Sequence, residues 1–427
     1  MSGPRIGAGS LAVGQARRIA ALRIERLRHG QPMEGMFSMF RRIAPISRRS
    51  ALRLGGVLMA IALVAAACGS DDGDDQDVDG DEPAATTEAE AAAEEPETEV
   101  AMTQDTGDLL AVVQDRGTLN CGVSGSAVAF SETQPDGSTT GFDADYCRAV
   151  AAAILGDADA VNFVPLTAAE RFTALEAGDI DLLVRNTTWT QSRDTDLVLD
   201  FGPTTYYDGQ QIMARADDDF SATSTVADLD GATVCTNAGT TTEKNIADAA
   251  DAAGIEITLS TFEDFDIVTE NFISGACDAV TTDGSALVGR KVKQEGDQNW
   301  VIFPPTPISK EPLGPVYPQN QSTFGDVVNW TVYATIIADE KGITSANIDS
   351  MMGSGDLDAE AVRMLGGEGE LQTKMGLSAD AFYNVISQVG NYDEIYTRNL
   401  GPVGLSRDGS ANARWTAGGL IYAPPAR

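Results

Sequence analysis

The stretch LLVRNTTWTQSRDTD, residues 182–196, concentrates groups that do chemistry. An apolar run, Leu182 to Val184, breaks into Arg185, Asn186, Thr187, Thr188, Trp189, Thr190, Gln191, Ser192 and Arg193. A polar loop at the carboxyl end of a strand is where open α/β folds place ligand groups. A guanidinium is a planar fork that matches a carboxylate through two hydrogen bonds. A second candidate is Gly239-Thr240-Thr241-Thr242, at the start of a helix whose first amides favour an anion. A third is Asp283, which ends a strand before Gly284. Each has a bland alternative: a surface pair of Arg193 with Asp194 or Asp196, an ordinary helix start, and a turn aspartate.

Composition narrows the chemistry. The 427 residues carry 29 Lys+Arg against 64 Asp+Glu, a formal net charge of −35. No nucleic-acid partner is expected, since phosphates need basic neutralisation. The single histidine, His29, lies in an N-terminal stretch read below as removed. Histidine-based triads and histidine metal ligation are then excluded, and no metal or cofactor is expected. Hydrophobic content of 43% suffices for one large or two medium cores.

These residues need strands and helices to position them. Helices are predicted over 109–115, 143–155, 168–176, from 243 onward, 265–274 and 324–339. Strands are predicted over 117–123, 161–164, 180–184, 211–214, 232–236, 257–259, 279–281 and 300–303. Alternation of this kind means βαβ units and a largely parallel sheet. The rhythm restarts after Tyr207, giving two α/β halves with a cleft expected between them. Pro304, Pro305, Pro307, Pro312 and Pro315 punctuate a stretch that cannot be helix. The tail from Asn399 onward is expected to pack across the first half.

The N-terminus reads as an address. Arg41, Arg42, Arg48, Arg49 and Arg53 precede an apolar run from Val57 to Val64, then Ala65-Ala66-Ala67-Cys68. This is a signal-peptide pattern over residues 1–67, and its ending resembles a bacterial lipobox with Cys68 as the acylated residue. Residues 1–35 lie upstream of the basic region, and Met36 or Met39 makes a more ordinary start. Ser47-Arg48-Arg49 hints at twin-arginine export, although Ala51 departs from that pattern. Residues 68–106 form an acidic tether that cannot bury apolar surface.

Gly141-Phe142-Asp143-Ala144-Asp145-Tyr146 opens the first long helix, with Asp143 expected to cap it and meet its dipole. Together with DIDLLVRNTTWTQSRD, YYDGQ, GTTTE and the tail WTAGGLIYAPP, this phrase resembles the polar amino-acid-binding family 3 of periplasmic solute-binding proteins. More narrowly, it is similar to the general L-amino-acid-binding branch of ABC importers. The resemblance runs from about Gly107 to the C-terminus.

It implies a type II periplasmic-binding-protein fold, with 107–207 and 311–427 forming one lobe and 208–310 the other. It further implies a lipid-anchored, extracytoplasmic, monomeric binding protein that hands L-amino acids to an ABC permease. An enzyme on the same fold and a receptor ectodomain are the alternatives. Carried over residue by residue, Arg193 grips the ligand carboxylate, helped by Thr188, Thr240 and Thr241. Asn186 offers a backbone carbonyl to the ammonium, and Asp283 binds it. Positions near Ala127 and Ala168 hold stacking aromatics in some relatives, and Ser124 replaces an acid. Small residues there imply a roomier pocket and broad specificity, with Phe130 and Trp189 as further lining. By the lobe division the remaining cysteines fall two per lobe. Disulfides Cys121–Cys147 and Cys235–Cys277 are predicted, with free buried thiols as the alternative.

Overall fold

The computed structural model describes residues 108–294, 296 and 299–427. The chain opens with α1 (Leu109–Arg116) and β1 (Leu119–Val123). A small hairpin layer follows: β2 (Ser126–Ala127), β3 (Ser131–Thr133) and β4 (Thr139–Thr140). Next come α2 (Phe142–Leu155), β5 (Val161–Pro165), α3 (Arg171–Glu176), β6 (Leu182–Leu183), α4 (Gln191–Asp196) and β7 (Leu199–Phe201). β8 (Tyr206–Asp208) leads out of this lobe.

The second lobe runs β9 (Gln210–Arg215), β10 (Thr233–Asn237), α5 (Thr241–Ala253), β11 (Thr258–Phe262), α6 (Phe265–Ile273), β12 (Ala279–Asp283), α7 (Gly284–Gln294) and β13 (Trp300–Phe303). β14 (Glu311–Leu313) returns antiparallel beside β8, and β15 (Val316–Pro318) re-enters the first sheet. Six helices complete the first lobe: α8 (Ser322–Glu340), α9 (Ile348–Ser354), α10 (Ala359–Met364), α11 (Leu371–Lys374), α12 (Ala381–Gln388) and α13 (Tyr392–Leu400).

The two main sheets have the orders β5-β1-β6-β15-β7 and β11-β10-β12-β9-β13. β5, β1 and β6 are parallel, as are β11, β10 and β12. β15, β9 and β13 pair antiparallel, so both sheets are mixed rather than largely parallel. The reason is connection: parallel neighbours need a crossover, whereas β9 and β15 enter their sheets straight from the inter-lobe crossings. Adjacent residues of β9 face opposite cores. Met213 packs with Phe272 and Trp300, while Ile212 packs with Val234, Ile246 and Phe303. Both faces of the second sheet are therefore covered.

The predicted element boundaries shift where local chemistry intervenes. Gly117 caps α1 in the left-handed region (φ 70°), so the strand begins at Leu119. The carboxylate of Glu170 accepts from the amide and hydroxyl of Thr167, holding a turn that delays α3 to Arg171. Thr240 caps α5, which starts at Thr241, ahead of the expected Glu243. Gly141 (φ 133°) precedes α2 where an added Cβ would lie 2.2 Å from the carbonyl oxygen of Phe130.

The tail meets the first lobe through α8. Asp339 of α8 is fully buried and accepts from Arg407 (2.6 Å) and Arg414 (2.9 Å). Asn412 bonds the backbone of Tyr207 through both ends of its amide. Among the described residues, no helix is long and apolar enough to cross a membrane.

Candidate functional site

The carboxyl ends of β1, β6, β10 and β12 converge on one cavity between the lobes. The first lobe contributes Ser124, Ser126, Ala127, Val128, Arg171, Arg185, Asn186 and Thr188. The second contributes Asn237, Thr240, Thr241, Thr242, Phe265, Thr282, Asp283, Ala286 and Arg290. The lobes touch around it. Arg290 Nη2 donates to the carbonyl of Ser126 (2.8 Å), and Lys293 pairs with Glu132 (2.6 Å).

The loop after β6 is held from behind. Asp143 does not cap α2; it lies inside the helix, buried, and accepts the amide of Asn186 at 2.7 Å. Gly141 occupies the cap position instead. Burial pushes Asp143 up to about 6, against the Asn186 hydrogen bond and the charge of Arg185. Asn186 adopts φ 32°, a left-handed conformation that Asn tolerates. Its side-chain nitrogen lies 3.4 Å from Asp283 Oδ2, and its Oδ1 is buried without a partner. Asn186 thus brings a free side-chain acceptor to the cavity.

Two arginines stand over the first-lobe side of the cavity. Arg185 donates from Nε to the carbonyl of Leu166 (2.9 Å), and burial lowers it to about 10. Arg171 is 3% exposed and its Nε has no partner. Its guanidinium stacks over Phe172 (4.7 Å), and burial, with Arg193 and Arg185 nearby, holds it well below its ordinary value. Among the described residues neither is in an ion pair. Opposite them, Asp283 is the one acid on the cavity wall among the described residues. Burial first, then Asp208 and Glu311, raise it well above the usual carboxylate range.

The other predicted residues divide. Ser124, Ala127, Asn186, Thr188, Thr240, Thr241 and Asp283 come together on the cavity wall. Arg193 does not line it. Its Nη1 donates to the carbonyl of Thr188 (2.9 Å), and its guanidinium stacks on Phe172 (5.1 Å). It is buried and faces a neighbouring cleft shared with Ser192, Lys244 and Asn245. Trp189 is 44% exposed and stacks on Phe201, because the loop turns its ring outward. Phe130 is core, edge-on to Phe142 and Tyr206, and Ala168 is buried off the wall.

The three threonine hydroxyls are already engaged. Thr240 Oγ1 accepts the amide of Glu243 (3.0 Å) and donates to the carbonyl of Asn237 (2.8 Å). Thr188 and Thr241 donate to Glu311 (2.6 and 3.0 Å). Sequence reasoning missed Glu311, Arg171, Phe265 and Arg290. The available signal was an acid inside a proline-rich crossing, Lys310-Glu311-Pro312, and an arginine where a helix begins.

Disulfides Cys121–Cys147 and Cys235–Cys277 are both formed, each within one lobe. The expected acylation of Cys68, the signal peptide and the acidic tether lie outside the described residues.

Known proteins place this architecture. A 44% identical relative over 318 residues is the glutamate/glutamine/aspartate/asparagine-binding protein BztA of Rhodobacter capsulatus, spanning 74% of this chain and 92% of its own. The general L-amino acid-binding periplasmic protein AapJ of Rhizobium johnstonii is 42% identical over 323 residues, with coverage of 74% and 92%. A solved ABC transporter periplasmic binding protein from Brucella ovis, with glutathione bound, superposes with a TM-score of 0.71 at 43% identity. It covers 75% of this chain and 100% of its own. The sequence profile of the bacterial extracellular solute-binding proteins, family 3, matches residues 119–402, and the chain belongs to that family.

Proposed function

We propose that this chain captures L-amino acids outside the cytoplasmic membrane and delivers them to an ABC-type permease. The carrying observation is the charge layout of the cavity: Asp283 on one wall and the buried guanidinium groups of Arg171 and Arg185 on the other. Asp283 complements the ammonium of an amino acid, and the two guanidinium groups complement an acidic or amide side chain. Asp283 and the unpartnered Oδ1 of Asn186 take the ammonium. The α-carboxylate lies at the amino end of α5 and Thr188, with Arg193 fixing the Thr188 peptide and adding positive charge. Arg171 and Arg185 then meet the side chain. The role is binding rather than catalysis.

Specificity is broad, favouring side chains that end in a carboxylate or amide. Calorimetry of the purified protein, stripped of solute by unfolding and refolding, tests this against the common L-amino acids. Several should bind, and binding of only one would end the broad reading. Arg171→Gln should weaken L-glutamate by roughly 10- to 100-fold, the weight of one charge-assisted hydrogen bond, and leave L-alanine nearly unchanged. Equal losses for both would remove Arg171 from the side-chain subsite.

A second reading adds a longer solute. The neighbouring cleft shares Thr240 and Thr241 with the cavity and carries Arg193 and Lys244. A short peptide such as glutathione has the length to use both, so glutathione belongs in the panel. The anchor is proposed on Cys68. Cys68→Ser should move the chain from the membrane fraction to the soluble fraction, and unchanged fractionation would count against acylation there.

A further inference from the structure

The scheme above leaves one acid of the cleft idle. Glu311 opens β14, opposite Asp208 of β8 in the pair of crossing strands, and is 1% exposed. Its carboxylate accepts four hydrogen bonds. Oε2 receives the hydroxyls of Thr188 (2.6 Å) and Thr241 (3.0 Å). Oε1 receives the amide of Asn245 (2.8 Å) and the hydroxyl of Ser309 (2.5 Å). A carboxylate offers about four acceptor sites, so all are used.

The donors come from three places. Thr188 belongs to the first lobe, Thr241 and Asn245 to α5 of the second, and Ser309 to the crossing itself. When the lobes part, β14 can follow only one of them. Bonds on at least one side of Glu311 must then break. The same contacts set hydrogen direction. A hydroxyl has one proton, and both threonines spend theirs on Glu311. They therefore present lone pairs to the cleft, and a solute carboxylate there must be met by N–H groups.

We propose that Glu311 is a positioning residue that latches the two lobes, holding Thr188 and Thr241 on one carboxylate so that closure persists and solute is retained. This rests on the chain being a binding protein whose lobes open and close. Glu311 and Asn245 are both absent from the cavity wall, whereas Thr188 and Thr241 line it, so the latch acts on the solute only through those two threonines.

The test uses Glu311→Gln, which keeps the shape but turns one acceptor atom into a donor, and Asn245→Ala, which removes a single bond. Small-angle scattering reads the unliganded lobe arrangement, and stopped-flow fluorescence reads release of L-glutamate. Glu311→Gln should shift the unliganded protein toward a larger radius of gyration. It should raise koff by about tenfold or more, with kon within about threefold, since affinity changes within one interface fall mainly on koff. Asn245→Ala should move both readouts the same way by a smaller amount, and it carries the test should Glu311→Gln fail to fold. A residue that only supports folding would lower the melting midpoint and leave the folded protein's scattering and koff unchanged. That result, in both variants, overturns the latch. If the wild type takes up no L-glutamate, the scattering comparison still decides the latch, and only the binding assignment falls.

Discussion

Asp283→Asn is expected to weaken capture of every α-amino acid by at least about 100-fold, more than 2 kcal/mol, because it removes a buried charge-assisted partner of the ammonium. The loss should not come from unfolding. Burial, Asp208 and Glu311 already hold Asp283 toward its neutral form in the empty cleft, so an amide in its place changes the charge of that cleft little. The melting midpoint of the empty protein should hold. A pH dependence accompanies this. Burial and the two neighbouring acids hold Asp283 well above its ordinary value in the empty cleft, which favours its protonated form. An arriving ammonium stabilises the charged form and pulls the value down. At a pH between the two values binding releases a proton, and affinity falls as pH drops through that interval. Calorimetry in buffers of different protonation enthalpy measures the release directly. Identical heats in all buffers, with Asp283→Asn binding within threefold of wild type, would remove Asp283 from the ammonium site.

The second large effect is on stability. Asp339→Ala should lower the free energy of unfolding by about 3–5 kcal/mol, the usual cost of breaking a buried ion pair from one side. Asp339 is fully buried, and its carboxylate takes Arg407 and Arg414 together. Most of the cost falls on Arg407, whose side chain is 10% exposed, since Arg414 is 40% exposed and regains water. Arg407 also pairs with Asp393 (2.7 Å) and stacks on Tyr392, so part of its environment survives. Denaturant titration should show a lower midpoint at unchanged slope. Solute affinity of the folded variant should stay near wild type, because Asp339 lies off the cavity wall. A variant as stable as wild type would show that the tail is held by other contacts.

The parts of the site readable from sequence were those whose chemistry is local. The polar loop after β6 announces itself because an apolar strand ends in amide, hydroxyl and guanidinium groups at once. Asp283 looked like a turn aspartate, and only the family resemblance singled it out. Arg171 was not legible, because an arginine at the head of a short helix looks like a solvated residue until the lobe folds over it. Glu311 was hidden by 102 intervening residues between the two crossings it helps join. The threonines misled in a different way. Thr240 was expected to contact the carboxylate; capping commits its hydroxyl locally, which leaves the α5 amides for such a contact. Trp189 misled because adjacency to a polar loop says nothing about which way a ring turns. Parallel pairing was legible from strand and helix alternation, whereas the antiparallel strands follow from inter-lobe crossings that periodicity does not record.

The disulfides bear on how such a chain is made. Cysteines pair in the order of their synthesis: Cys121 with Cys147, 26 residues on, then Cys235 with Cys277, 42 residues on. A polypeptide threaded through a membrane from its N-terminus meets the oxidant in that same order. Were this chain exported unfolded, each thiol would meet its native mate next in line. Cys68 alone would spoil the sequence, since it emerges before Cys121 and could seize it. The proposed acylation would consume that thiol, so the modification that anchors the protein would also protect its oxidation from error.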